Sequence, residues 1–559
     1  MIINKMDDDK TIFKAWRENG ERKFEKIEFE PYFFIKKDSL KPVRYSVNKF
    51  INRNFRYIDG DWVNLNGEVL TKVIVDNSED MKKAKNYFNE TYEADVPLHF
   101  RYCVDELDEM PEYKMRKWYW DMEWQQGGEY HDCITTIVVY DNYDEKFIQW
   151  VWFPDKLEYN LVDSPIDKDE KQIGRKRTFD NEKDMIQSFM TTMIIKDPDM
   201  LIAWFGLKFD LPKLLERACE LGLNPLVMSP IGSIKGISKA KEGFKFAYVE
   251  NGFSPIEQAI GGRITLNLDL AFERQWNDSQ RGTLPSLSLE YVSQILFEEG
   301  KVKESKFKDK NEFFRRAWLE DTEVYLEYAL KDVELIVRID EENFCSESIL
   351  ALQRLLKAPF DACFYASHMG SIYFMRNAYW KAPTGNKNIE RKEYDGAMIY
   401  DPLSENTNGL HFNVAAFDFA SLYPSMMIAR NISWETKSTE PTPYKVNILT
   451  PRDFSEVRFE KMLYYKTDKL GILPKAVLEL KELRNEYKKY MKEARETNNG
   501  EYQKWYNNQM AVKRLMASFY GIVAYQGFGW ADVDLAASIT ASAREAIRLA
   551  AFKAKEIEI

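Results

Sequence analysis

Two hydrophobic periods alternate along the chain, one of two residues and one of three to four, and the changes between them mark its segments. Residues 1 to about 100 mix short strand-like alternations with turns. After them KWYWDMEW (117–124) and CITTIVVY (133–140) are apolar, aromatic and β-branched runs separated by the turn-like QQGGEYHD, which predicts a hairpin. MLIAWFG (200–206) has the character of a buried strand, and LPKLLERACELG reads as the helix after it, ended by Gly222. The stretch 321–343 carries apolar residues at helical spacing and predicts one long helix. FNVAAFDF (412–419) reads as a strand running straight into SLYPSMMIARN, a turn and helix. Two helical stretches, about 474–497 and 501–519, predict a helical hairpin, and VDLAASITASAREAIRLAAFKAKEI one more amphipathic helix. No internal repeat or low-complexity tract interrupts this order.

At 559 residues the chain is too long for one hydrophobic core, so roughly three to five domains are expected. With 45% hydrophobic and 14% aromatic residues it is globular. No apolar run approaches the roughly 20 residues that span a bilayer, and MIINKMDDDK lacks the apolar core of a signal peptide. The five cysteines, Cys103, Cys133, Cys219, Cys345 and Cys363, are odd in number and far apart, which argues against a disulfide framework or a paired-cysteine zinc site and for a reducing, cytoplasmic setting. A net charge of −11 argues against nucleic acid if taken globally. Locally the sign reverses: residues 475–515 hold Lys475, Lys481, Arg484, Lys488, Lys489, Lys492, Arg495, Lys504, Lys513 and Arg514 against six Glu.

Candidate chemistry in the first half is carboxylate chemistry. Asp121 and Glu123 lie two apart in a predicted strand and so share a face. Asp210 follows the buried strand at the start of a helix. Tyr328 and Asp332 are one helical turn apart. Four acidic residues from three segments, with a tyrosine one turn before the last, are what a two-metal phosphodiester hydrolase needs, because hard carboxylate oxygens suit Mg²⁺ or Mn²⁺. In the second half, Arg484 and Lys488 share one helix face and Lys513 and Tyr520 another, so three cations can converge from two helices on a triphosphate.

The order DME (121–123), FD (209–210) and YALKD (328–332) resembles the exonuclease motifs of family-B DNA polymerases, and FDFASLYPSMM (417–427) resembles their motif A nearly letter for letter. KRLMASFYG (513–521) is similar to motif B, and YDGAMIYDP (394–402) to the element that joins exonuclease and palm and contacts template DNA. SPIGSIK (229–235) and LPSLSLEYVSQ (284–294) resemble the bacteriophage branch. The resemblance implies that Asp418 and the Phe419 carbonyl bind metal, and that backbone N–H groups at Ser421 and Leu422 face the triphosphate. It further implies that Tyr423 lies under the incoming sugar and excludes a 2′-hydroxyl, that Arg484, Lys488, Lys513 and Tyr520 serve the nucleotide, and that Tyr394 and Gly396 contact DNA. Two positions depart from the pattern: Phe205 and Gly206 stand where the family has Asn, and so does Ala517.

The expected fold is therefore multidomain α/β: an α+β N-terminal domain (1–100), an RNase H-like 3′→5′ exonuclease (101–345), a return segment (346–385), a palm with motif A (386–465), helical fingers with motif B (466–520) and a second, partial palm segment (521–559). Two Mg²⁺ or Mn²⁺ ions per active site, deoxynucleoside triphosphates and primer-template DNA are implied, with a sliding clamp and other replisome proteins as further partners and no membrane. The family's DTDS motif occurs nowhere in the 559 residues. A split polymerase is thus expected, in which a second chain supplies DTDS and the thumb. Two alternatives stand beside it: a stand-alone exonuclease with a vestigial polymerase half, and a non-catalytic primer-template binding subunit.

Overall fold

A computed structural model of the chain describes residues 1–556 apart from 40–54, 85–86, 155–162, 169, 248–251, 279–281, 301–305, 308, 386–392, 399–409, 416 and 526. The chain forms two compact units: Met1–Phe29 with Asp108–Arg354 and Pro359–Asp361, and Glu30–Leu107 with Leu355–Ala358 and Ala362–Ile559. The first hundred residues are therefore shared between them.

The first unit is built on a seven-stranded sheet in the order Ser164–Lys168, Lys171–Phe179, Lys146–Trp152, Ile134–Asp141, Lys117–Trp124, Met200–Ala203, Ile264–Asn267. Lys117–Trp124 and Ile134–Asp141 pair antiparallel as the predicted hairpin, with a bulge between Glu123 and Trp124. Alternation along Lys117–Trp124 sends Trp118, Trp120 and Met122 into a core with Ile137, Trp150 and Phe189, which leaves Asp121 and Glu123 on the opposite face. Met200–Ala203 is wholly buried, as its apolar run predicts. The following helix, Asp210–Glu220, buries Leu211, Leu214, Leu215 and Ala218, and the chain turns at Gly222 with φ 73°. Thr322–Asn343 is the predicted long helix. A three-stranded sheet from Ile2–Lys5, Thr11–Glu18 and Glu21–Glu28 joins this unit through the buried Arg17–Asp199 ion pair at 2.5 Å.

The second unit holds a four-stranded sheet, ordered Trp380–Lys381, Arg56–Asn64, Val69–Ile74, Tyr32–Lys36, and a helical region. The predicted helical hairpin is Ile472–Thr497 and Tyr502–Val523, longer at its base than its pattern predicts. Left-handed Asn498 (φ 47°) and Gly500 (φ 78°) turn the chain between the two helices. An aromatic core fixes its base: Phe374 lies 5.2 Å from Trp434, 5.0 Å from Phe519 and 5.6 Å from Trp530. Val533–Glu556 is the predicted last helix, burying Leu535, Ala536, Ile539 and Ala543.

One element departs from expectation. The described residues of 412–419 form no strand, and Phe412, Val414 and Phe417 are 79, 72 and 90% exposed. A strand needs a neighbour to complete its ladder, and among the described residues nothing pairs with this segment. No helix among the described residues is long and apolar enough to cross a membrane.

Candidate active sites

In the first unit the carboxylates of Asp121, Glu123 and Asp332 come within 4.8 Å of one another. The strand supplies two of them because residues two apart share a face, and the Thr322–Asn343 helix supplies the third. Asp332 is buried, whereas Asp121 and Glu123 are partly exposed, so the group is reachable from solvent on one side. Asp210 is not part of this group. It is buried at the first position of its helix, where the N-terminal dipole favours a carboxylate. Gly206 is required by the turn before it, since a Cβ there would stand 2.5 Å from the Ala203 Cβ. Phe205 packs edge-to-face with Phe209, ring centroids 6.3 Å apart. Tyr328 is buried beside Phe313 and Phe314 at 5.4 and 5.7 Å.

Sequence reasoning misses two side chains here. Thr135 donates to the Glu123 carbonyl at 3.0 Å and shares a 2.8 Å hydrogen bond with the Tyr325 hydroxyl. Burial first, then the charge of Glu123, raise the Tyr325 hydroxyl well above the ordinary tyrosine range, so it stays protonated. Tyr325 was readable as the residue one turn before Tyr328. Thr135 was not, because it sits at the bulge, where two residues of one strand oppose one of the other.

In the second unit Asp418 is exposed on the unpaired segment and does not end a strand, contrary to the prediction. Ser421 has φ 55°, a left-handed conformation rare outside glycine, and leads into the Leu422–Ala429 helix. The Tyr423 ring lies 4.5 Å from that of Tyr520, whose hydroxyl is 3.2 Å from the Tyr394 hydroxyl. These three predicted residues are thus brought together. Arg544, also missed, is buried and donates to the carbonyls of Asp395 (2.7 Å), Thr450 (2.7 Å) and Gly396, which ties the last helix to the YDGA segment. On the hairpin, burial, then Arg484, then Lys513 lower the Lys488 amine, which puts Lys488 within electrostatic reach of the other two predicted cations. Arg484 Nε donates to Gln509 Oε1 at 3.2 Å across the hairpin. Ala517 is exposed on the second helix.

Comparison with known proteins gives this arrangement its class. A model for the exonuclease domain of DNA polymerase family B matches residues 137–291, and one for DNA polymerase family B matches residues 368–556. The first span contains Asp210 and is flanked by Asp121, Glu123 and Asp332; the second contains Asp418, Tyr423, Lys513 and Arg544. The chain belongs to DNA polymerase family B and carries that family's exonuclease and polymerase domains. A DNA polymerase of Pyrococcus glycovorans is 26% identical over 99% of the chain and 67% of its own length; one of Thermococcus sp. (strain 9oN-7) is 27% identical over 96% and 65%. The DNA polymerase delta catalytic subunit of Plasmodium falciparum is 27% identical over 66% of the chain and 33% of its own. The structure of the family B DNA polymerase from Pyrobaculum calidifontis superposes with a TM-score of 0.69 at 17% identity, covering 99% of this chain and 71% of that one. This chain thus spans about two thirds of the archaeal relatives' length.

Proposed function

We propose that the first unit removes nucleotides from DNA 3′ ends and that the second performs template-directed deoxynucleotidyl transfer. The observation that carries the first half is the meeting of Asp121, Glu123 and Asp332 within 4.8 Å. All-oxygen donors of this kind fit Mg²⁺ or Mn²⁺, and Asp210 would complete the set. Bound there, divalent ions supply water activation and stabilisation of the leaving oxygen. The chain's own groups do the positioning: Tyr328 orients the attacking water, while Thr135 and the protonated Tyr325 fix the backbone at Glu123. Replacing Asp121 and Glu123 together by Ala is expected to abolish metal-dependent 3′ degradation of single-stranded DNA. Full activity in that variant overturns the assignment.

In the second unit Asp418 and the Phe419 carbonyl would hold metal, with Ser421 and Leu422 N–H groups, Arg484, Lys488 and Lys513 on the triphosphate. Tyr423 would take the sugar, Tyr520 the nascent base pair, and Tyr394 and Gly396 the template. Primer-template DNA and deoxynucleoside triphosphates are then the substrates, a sliding clamp a further partner, and the cytoplasm the setting. In domain terms 101–345 is the exonuclease, 386–465 and 521–559 the palm, and 466–520 the fingers. Synthesis also needs a second palm carboxylate, which further polypeptide carrying DTDS supplies, on a second chain in the split form. A bacteriophage-type ancestry rests on SPIGSIK and LPSLSLEYVSQ alone.

A further inference from the structure

Three of the cations on the fingers hairpin suffice for a triphosphate, yet its basic face extends well beyond them. Lys481, Arg484, Lys488, Lys492 and Arg495 recur every three or four residues along Ile472–Thr497 and so form one stripe. At 1.5 Å per residue the stripe is about 21 Å long. Among the described residues Lys481, Lys488 and Arg495 have no carboxylate within 4.0 Å; Lys492 reaches Glu496 at 3.8 Å, an exposed pair worth little. On the second helix Tyr502, Tyr506, Gln509 and Lys513 likewise share one face. The Arg484–Gln509 hydrogen bond places that face beside the stripe.

Toward the hairpin tip this shared surface turns aromatic. Tyr502 and Tyr506 are 36 and 37% exposed, with rings stacked 6.4 Å apart at 21°. Beneath them Trp505 is wedged between Tyr487 and Tyr490 at 5.6 and 4.8 Å, which makes a stiff base. Two exposed flat rings next to unpaired cations are poorly explained as hairpin packing, which Trp505 already provides.

We propose that this face, from Arg484 to Tyr502, is a binding track for single-stranded nucleic acid, with phosphates on the cationic stripe and bases on Tyr502 and Tyr506. Charge complementarity selects this occupant: residues 475–515 carry ten Lys and Arg against six Glu, a local +4 in a chain of −11. Alternating rings and cations are how proteins hold single strands without reading sequence. Only the identity of the strand, the unpaired template ahead of the primer, rests on the polymerase reading above.

The test is fluorescence anisotropy of a labelled oligo(dT) of about sixteen nucleotides, with chelator, on full-length protein bearing Asp121→Ala and Glu123→Ala. Lys492→Gln with Arg495→Gln should lower the slope of log affinity against log salt by about 1.4, since each phosphate contact on a single strand contributes about 0.7. Tyr502→Ala with Tyr506→Ala should weaken binding about tenfold or more at unchanged slope, while the two Phe replacements bind as the parent does. Circular dichroism checks that the helices persist, and the exposed Gln pair keeps the test usable if the Ala pair unfolds. Parental affinity and slope in both the Gln and the Ala pairs overturn the proposal. So does a loss of dTTP binding with oligo(dT) binding intact, which would make the face a triphosphate surface. Because the assay needs no catalysis, failure of primer extension would discredit the polymerase reading and leave this result standing.

Discussion

Asp269, at the start of the helix after the Ile264–Asn267 strand, has a buried carboxylate oxygen that no donor reaches among the described residues. Burial, reinforced by Glu273 and opposed by the Leu270 N–H, pushes its carboxyl up from 3.8 to about 7. The folded state therefore binds a proton that the unfolded state releases near pH 4, and stability falls as pH rises from about 4 to about 7. The gap corresponds to at most about 4 kcal/mol. Asp269→Asn should raise the thermal midpoint at pH 8, with the gain fading toward pH 4; equal midpoints at pH 8 would refute this. Tyr423 invites a second test. Its ring packs on Tyr520, and in a reconstituted enzyme Tyr423→Ala should raise ribonucleotide incorporation far more than it lowers deoxynucleotide incorporation. Unchanged sugar discrimination would count against the role. Asp121, Glu123 and Asp332 were legible because strand and helix periods fix which residues share a face. Asp269 was not: its environment comes from parts of the chain distant in sequence.

Among the elements, the fingers hairpin was read almost whole, since a 3.6-residue pattern over so many turns has no competing interpretation. Its anchorage was not readable. Asn431, left-handed at φ 51° and buried, donates to the carbonyls of Lys466 and Lys469 at 2.7 and 2.9 Å and accepts from the Gly471 N–H at 2.8 Å. Ser433 accepts from the Leu473 N–H at 3.2 Å and Glu435 from the Ile472 N–H at 2.6 Å, so side chains that follow motif A cap the first fingers helix. Asn431→Ala removes the partner of the Gly471 N–H, whose hydrogen bond is buried, at about 1–3 kcal/mol when water cannot reach it, and frees the two lysine carbonyls as well. We expect a lower thermal midpoint and faster amide exchange in the first turn of Ile472–Thr497. Unchanged exchange there would show that the cap does not hold the helix. The misread strand at 412–419 makes the complementary point: alternation describes one strand, whereas a ladder requires two.

At the scale of the whole molecule the two units pose different problems. The first assembles three carboxylates within one described fold, so its hydrolysis should need nothing further from another polypeptide. The second presents Asp418 on an exposed apolar segment, with Phe412 and Phe417 at 79 and 90% exposure and no strand beside it among the described residues. Such a segment has unpaired backbone groups and an apolar flank, both of which a neighbouring β-hairpin would cover. A hairpin carrying DTDS would satisfy the ladder and place a second carboxylate opposite Asp418 in one step. Charge points the same way, because one carboxylate holds two closely spaced cations poorly. The 559-residue chain alone should therefore leave a primer unextended while it degrades single strands, and adding polypeptide with DTDS and a thumb should restore extension. An interface that completes a palm should be of the obligate, largely apolar kind, above about 2,000 Å² in total. Primer extension with the chain alone, the added polypeptide alone and their mixture separates the cases. Robust extension by the chain alone, with Asp418→Ala abolishing it to exclude a contaminating polymerase, would refute the need for a second carboxylate; extension only in the mixture would support it.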